Sequence, residues 1–473
     1  FDYGLHDRFG KTHYYSYNRI EFISFDFTKE DVLNMYVRLR NDGYLWYDTK
    51  TENEITITTA EELLELLGLS VMPENVDVPS SFEKDGITYT VTGISANVFS
   101  GNKTICSVTL PDTLKKIDTQ AFSGCSSLET VILPENTSEI GYGAFIDCKK
   151  LKNVNIPSAV TIIDDTTFEG CSSIEAVTIP ENVVTIGYGA FLDCKKLKSI
   201  VIPSSVREIE ASAFANCSAL KSVTIEYGVK KIGKHAFYAC EELTAILFPD
   251  SGTEIDDTAI DKCINISEIL FPIKLDSQLD MNFSEMRNLR SVRLPQGMTV
   301  LPDDMMSGLP KLESVFLPQG LKEIGNCAFC GCSALKEVYM PDDVVSISEY
   351  AFSYCTSLEK INLPYSITRI ENNTFNGCKS LTDAGIPDSV EYIGERAFAD
   401  CQALKSVVLP KNLKILEDNS FEKCCIEELT VRNPDLSDFG YAFRYDSYLR
   451  KVTGYHNSTA EIFAGTYGIE FIE

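Results

Sequence analysis

The chain has 473 residues, with 69 acidic against 42 basic side chains and a formal net charge of -27. That excess of negative charge argues against a nucleic-acid partner and against an anionic membrane surface. No apolar run reaches about 18 residues, so no membrane insertion is expected. The chain opens at Phe1 without an apolar leader, and the expectation is that a signal segment has been removed ahead of it.

Residues 1–76 stand apart from the rest of the chain. They are rich in aromatics, among them Tyr14, Tyr15, Tyr17, Phe22, Phe25, Phe27, Tyr44, Trp46 and Tyr47. Thr28 with Asp31 opens an amphipathic run to Leu39, predicted as a helix with its own N-cap. Residues 43–48 and 54–58 are predicted strands. Thr59 and Glu62 have capping-box spacing, and the helix they start should end at Gly68. The region is expected to be a small α/β cap on the open end of the next domain; a separate ligand-binding module is the alternative. His6, Asp7 and His13 hint at a metal, but their spacing matches no compact ligand set, and no metal or cofactor is expected.

The repeating domain is expected over residues 77–432. Residues 78–110 open it, with Val91, Ile94, Phe99, Ile105, Val108 and Leu110 already in register and a polar loop around Asp85-Gly86. From Pro111 onward prolines recur every 23 residues, at 134, 157, 180, 203, 249, 272, 295, 318, 341, 364, 387 and 410, with Glu226 in the one gap. Fourteen units thus span residues 111–432 without insertion or deletion in the proline register. A fixed period of this length is the mark of a solenoid. Each column has a physical task. Aliphatics stand three and six residues after the proline, as Val206 and Ile209. Phe stands eleven after (Phe122, Phe145, Phe168, Phe191, Phe214, Phe237), Cys fourteen after and Leu seventeen after. The closing Leu-x-x-Val-x-Ile alternates with period two and reads as a strand buried on one face. Proline stops that strand because it has no N–H to donate. Ala-Phe-x-x-Cys-x-x-Leu is predicted as a turn of 3₁₀ helix. One unit cannot bury its apolar face alone, so stability must come from stacking. At ~4.8 Å per strand, fourteen units make a sheet roughly 65 Å long.

After Cys425 the register slips by one. Residues 433–473 are predicted to close the stack with a strand, a short helix from Ser458 or Thr459 and a last strand. Residues 141–152 and 187–198 differ at one position, which points to duplication of a two-unit block.

These columns resemble the BspA-like leucine-rich repeats, a 23-residue class found in bacterial surface proteins. The resemblance runs from Val91 to Ile472. It implies a mainly β fold: a right-handed leucine-rich-repeat solenoid with a parallel sheet on its concave side. It also implies a secreted or cell-surface protein, without catalytic residues, that acts in adhesion. The family's asparagine column is not kept here; Asn136, Asn182, Ser205, Gly228 and Asp343 occupy it, and the Cys column is the candidate to replace its ladder.

Twelve of sixteen cysteines fall in that column: 125, 148, 171, 194, 217, 240, 263, 332, 355, 378, 401 and 424. Neighbours should lie within disulfide reach, yet stacked side chains point the same way, so buried reduced thiols are expected. Cys327-x-x-Cys330 beside Cys332 is only a loose ligand pattern. Phosphate-binding loops, His-Glu-x-x-His and Gly-x-Ser-x-Gly are absent, and no catalytic residue is assigned.

Between residues 254 and 317 the columns slip: Ile260 and Met306 replace Phe, Met286 and Leu309 replace Cys, and Gln278 replaces Ile. The residue between Val and Ile of each strand should point away from the core. That row is mostly small or polar, but from Leu247 through Leu270, Arg293 and Phe316 to Tyr339 it is large and apolar around one Arg. Glu268 and Glu337 flank it. These seven are the candidate ligand-binding residues, because aromatics with Arg are enriched where binding energy concentrates. The expected function is recognition of a host or cell-surface protein or glycan, at the cell surface or outside the cell. A carbohydrate-active enzyme or accessory module and a passive spacer are the alternatives.

Overall fold

The computed structural model describes residues 54–84, 86–272 and 281–473, with the short strands Leu5–His6, Thr12–His13 and Trp46–Tyr47. The helix expected near residues 31–39 and the side chains of His6, Asp7 and His13 lie outside the described residues. The protein is mainly β, a parallel-strand solenoid of about 16 turns.

Most 23-residue units are one coil carrying two strands, although residues 364–386 carry only Arg369–Ile370. Ser199–Ile202 pairs in parallel with Ser222–Ile225, residue for residue one unit on. The shorter Glu208–Ile209 pairs likewise with Lys231–Ile232. Period-two alternation gives the longer strands an exposed-buried-exposed-buried pattern. After each proline a tight turn forms, as where the Val206 N–H donates to the Pro203 carbonyl at 3.1 Å. This turn redirects the chain from the first strand to the second.

The Ala-Phe-x-x-Cys segment is not the 3₁₀ turn its spacing suggested. Gln120 and Gly124 have φ of 54° and 70°, which interrupts any helix. The N–H groups of Ala121, Ser123 and Cys125 close turns on the carbonyls three residues back, at 3.2, 3.0 and 3.1 Å. Those of Gln120, Phe122 and Gly124 instead reach the next coil, to the carbonyls of Tyr142, Ala144 and Ile146 at 2.8, 2.8 and 2.7 Å. Inter-coil bonding therefore continues through the turns as a third ladder. A left-handed residue costs ~1–2 kcal/mol without a glycine. The column holding the second one begins Gly124, Asp147, Gly170, Asp193 and Asn216, residue types that tolerate it, but the same backbone is imposed on Ala239, Lys262, Tyr354 and Lys423 further on. Close approach also accounts for the first glycine of the duplicated block. A Cβ on Gly187 would stand 2.6 Å from Asp165 Oδ1, the atom that accepts the Tyr188 N–H at 2.7 Å.

The core is made of columns. Phe rings from Phe99 to Phe237 stack coil on coil with centroids 4.8 to 5.6 Å apart. A second stack runs from Phe329 to Phe443. All sixteen cysteines are free thiols, as expected for the column. Each of the twelve column cysteines donates its S–H to a carbonyl 26 residues earlier. Cys217 reaches the Phe191 oxygen at 3.3 Å and Cys332 the Met306 oxygen at 3.1 Å. The thiol is thus a small apolar filler that also satisfies a buried acceptor, the task an asparagine ladder would perform.

Gln278 lies outside the described residues, but at the described positions of the irregular middle the columns stay filled. Ile260, Met286, Met306 and Leu309 are buried where Phe or Cys stands elsewhere. As the Phe stack lapses at Ile260, Phe248 and Phe271 appear at the strand ends and stack at 5.3 Å. Glu268 to Leu270, Ser291 to Arg293 and Ser314 to Phe316 stay in register.

A helix stands near each end of the described stack. Strand Glu54–Ile57 joins the short-strand ladder against Ile87–Ile94, and Asn75–Asp77 joins the long-strand ladder against Ser107–Thr109. Between them lies helix Ala60–Leu67, where the turn ladder would otherwise stand. Its Thr59 oxygen accepts the Glu62 N–H at 3.0 Å, and Gly68 at φ 66° ends it. The polar stretch around Gly86 is a hairpin, Ser81–Lys84 against Ile87–Ile94, rather than a loop. At the far end Ser406 pairs with Glu428, one residue short of the repeat, as the register slip requires. Helix Thr459–Tyr467 and strand Glu470–Ile472 finish the stack.

The column packing can be tested at one ring. Phe214 is fully buried, with its neighbours' ring centroids at 5.2 and 5.4 Å, so Phe214→Ala should cost ~3–5 kcal/mol in denaturant unfolding. A loss under about 1 kcal/mol would contradict the packing. Burial also pushes the Cys125 thiol up to about 12. In the folded, reduced chain a maleimide should therefore label only the partly exposed Cys106, Cys327, Cys330 and Cys425, and the column thiols only after unfolding.

Candidate ligand-binding face

The long-strand ladder fixes the candidate row. Leu247 pairs with Leu270, Leu270 with Arg293, and Arg293 with Phe316, in parallel register. Tyr339 comes directly after strand Glu337–Val338 on the next coil. Exposure reaches 51% at Leu247, 58% at Phe316 and 72% at Tyr339, while Leu270 and Arg293 are half-buried between them. At ~4.8 Å per strand the five residues form one strip roughly 20 Å long, apolar on either side of Arg293. Other exposed aliphatics share the column, but singly. Val201 stands between Thr178 and Thr224, and Ile132 has Asn155 beside it.

Arg293 is partly engaged by the backbone. Its Nη2 donates to the Phe271 carbonyl at 2.9 Å, while its Nε is buried without a partner. Asn155 and Asn362, in the same column, also bond backward. Asn155 accepts from the Leu133 N–H at 3.1 Å and donates to its carbonyl at 2.8 Å; Asn362 does the same at Met340. A polar side chain here satisfies backbone groups where the strand below ends. Glu268 lies on the companion row, opposite Ser291. Tyr339 donates its hydroxyl to Glu337 Oε2 at 3.2 Å, and that carboxylate holds the phenol above its ordinary range. The strip can offer ring faces, aliphatic edges and a carboxylate-phenol pair.

A second set of aromatics lies outside the row that sequence reasoning picked out. Tyr365 is 85% exposed, and Tyr441, Tyr445, Tyr448, Tyr455 and Tyr467 stand out on the last coils. Arg444 lies over the Tyr445 ring at 4.7 Å.

Carboxylates collect on the turn ladder instead. Burial raises Glu169, helped by the nearby charges of Asp147 and Asp193. Glu422 shows the opposite balance: burial pushes it up, but the Arg396 guanidinium at 2.7 Å and Lys423 outweigh burial and hold it below its ordinary value. Among the described residues no group of three or more His, Cys, Asp or Glu could hold a metal ion.

The BspA type leucine rich repeat region, in six copies, matches residues 92–221, 207–336 and 322–450. The chain belongs to the BspA type leucine-rich repeat family. Similar solved structures include a leucine-rich repeat protein from Bacteroides ovatus, 24% identical, covering 89% of this chain and 92% of that one, with a TM-score of 0.45. A leucine rich cell surface protein from Faecalibacterium prausnitzii is 23% identical over 91% of this BspA type chain and 97% of its own, with a TM-score of 0.39. The pneumococcal vaccine antigen PcpA is 17% identical over 93% and 98%, with a TM-score of 0.32. No curated protein sequence matches significantly. No helix among the described residues is long and apolar enough to cross a membrane.

The Arg396–Glu422 pair yields a pH prediction. Because the folded-state value of Glu422 lies below the unfolded one, its contribution is present above the unfolded value of about 4.3 and is lost as pH falls through the folded one. Arg396→Met should therefore destabilise the protein near neutral pH and much less in acid, measured by denaturant midpoints at both. An equal loss at the two pH values would contradict the pairing.

Proposed function

We propose that the protein is a non-enzymatic binding protein at the cell surface or outside the cell. Its ligand is a protein or a glycan, bound on the strip from Leu247 to Tyr339. The observation that carries this reading is continuity. Four consecutive coils hold Leu247, Leu270, Arg293 and Phe316 in one register-locked ladder, and the next coil adds Tyr339, so four large apolar or aromatic side chains flank one Arg where the rest of the row is mostly small or polar. An exposed apolar patch of this extent needs a partner to explain it. A ladder also holds its side chains in fixed relative positions, so little conformational entropy is lost on binding. Phe316 and Tyr339 are the anchors, with Arg293 between backbone and ligand and Glu268 and Glu337 at the rim. The net charge of -27 favours a neutral or cationic surface.

The test is a screen of the purified chain against extracellular matrix proteins and a glycan array, followed by titration of whatever binds. The variant Arg293→Ala/Phe316→Ala/Tyr339→Ala should keep its circular dichroism and bind at least ~10-fold more weakly, a loss of about 1.4 kcal/mol. Unchanged affinity in the folded variant would place the site elsewhere.

A further inference from the structure

Four of the cysteines are only partly buried, and two of these lie in one turn. The Cys330 N–H donates to the Cys327 carbonyl at 2.9 Å, so the pair occupies the first and last places of a tight turn. Such a turn holds its outer Cα atoms within about 7 Å. A disulfide needs about 4.4 to 6.8 Å. Both thiols are only partly buried, so a small reagent can reach them. The column thiols differ on every count: all twelve are buried, and each S–H is held by a backbone carbonyl of the coil below. Equivalent turns elsewhere carry Gln120 with Ser123, Ser212 with Ala215, or Asn373 with Asn376.

We propose that Cys327 and Cys330 form a redox site, closing to an intramolecular disulfide in exchange with a small disulfide such as oxidised glutathione. Burial pushes Cys327 up to about 11 and raises Cys330 too, but at Cys330 the neighbouring Cys327 partly offsets the rise, and in this scheme Cys330 attacks first. Its sulfur attacks one sulfur of the reagent, forming a mixed disulfide and expelling one glutathione thiolate, which takes up the proton Cys330 lost. Cys327 then gives up its proton and attacks the Cys330 sulfur, forming the Sγ–Sγ bond. The second glutathione leaves with that proton. The two protein thiols are oxidised by two electrons, and one disulfide is reduced to two thiols. The raised thiol values make exchange slow near neutral pH and faster as pH rises. This site is independent of the strip at Leu247 to Tyr339.

The test uses the full reduced chain, folded, incubated with oxidised glutathione, trapped with N-ethylmaleimide and read by peptide mass. The peptide carrying both residues should lose two hydrogens and take up no reagent. In Cys327→Ser, Cys330 should stop at a glutathione adduct that a reductant removes. In Cys330→Ser the disulfide should not form. Both variants should fold, because Ser212 and Ser123 already occupy the equivalent places in other units. Three results would overturn the proposal. One is free, alkylated Cys327 and Cys330 under conditions that modify Cys106 or Cys425. Another is a wild-type Cys330 that stops at the adduct. The third is a bond from either residue to Cys332 or to a second chain.

Discussion

Everything in this molecule depends on backbone hydrogen bonds that run from one coil to the next. Both strands of each coil and the turn between them offer N–H and C=O groups along the stacking axis, and the adjacent coil must meet them. A coil one residue longer would throw three ladders out of register at once. That is why the proline spacing stays fixed through fourteen units, and why the one slip, at Ser406 against Glu428, comes where the closing segment begins. The Phe stack and the thiol ladder are consequences. Once the backbone is locked, like residues are brought over like, and only side chains that stack on their own copies fit well.

The fold is unevenly legible in the sequence. The strands, the thiol column and the capping box at Thr59 can be read because each rests on a local pattern: alternation, a repeated residue type, or a three-residue spacing. The turn segment misleads because Phe and Cys three apart look helical. A partial clue sits between them, in the Gly, Asp and Asn that accept a left-handed backbone at Gly124, Asp147 and Asn216, but Ala239, Lys262 and Tyr354 take the same backbone without it, because the ladders on either side impose it. The hairpin near Gly86 is hidden because its strands are polar on one face. For the candidate strip, alternation alone places Leu247, Phe316 and Tyr339 outward, since an outward direction follows from period two. The turn of Arg293 back onto the Phe271 carbonyl leaves no such trace, because the bond crosses between coils and depends on where the strand below ends.

The irregular middle separates into two effects. Inside, it is compensation: Phe is lost at Ile260 and regained at Phe248 and Phe271, so the coil keeps its bulk while moving it from the turn side to the strand ends. Outside, the same coils carry the apolar strip. Internal repacking and external composition therefore change over the same units, although only the exterior meets solvent.

The direction of the inter-coil bonds has a mechanical consequence. They lie along the stacking axis, so tension applied between the chain ends loads them one coil at a time, as in unzipping, rather than many together as in shear. Each coil released would add the contour of 23 residues, roughly 75–80 Å of extended chain. Stretched in this way, the protein would lengthen in a series of small, similar steps at modest force. It would then act as an extensible tether whose outer coils yield before the inner ones.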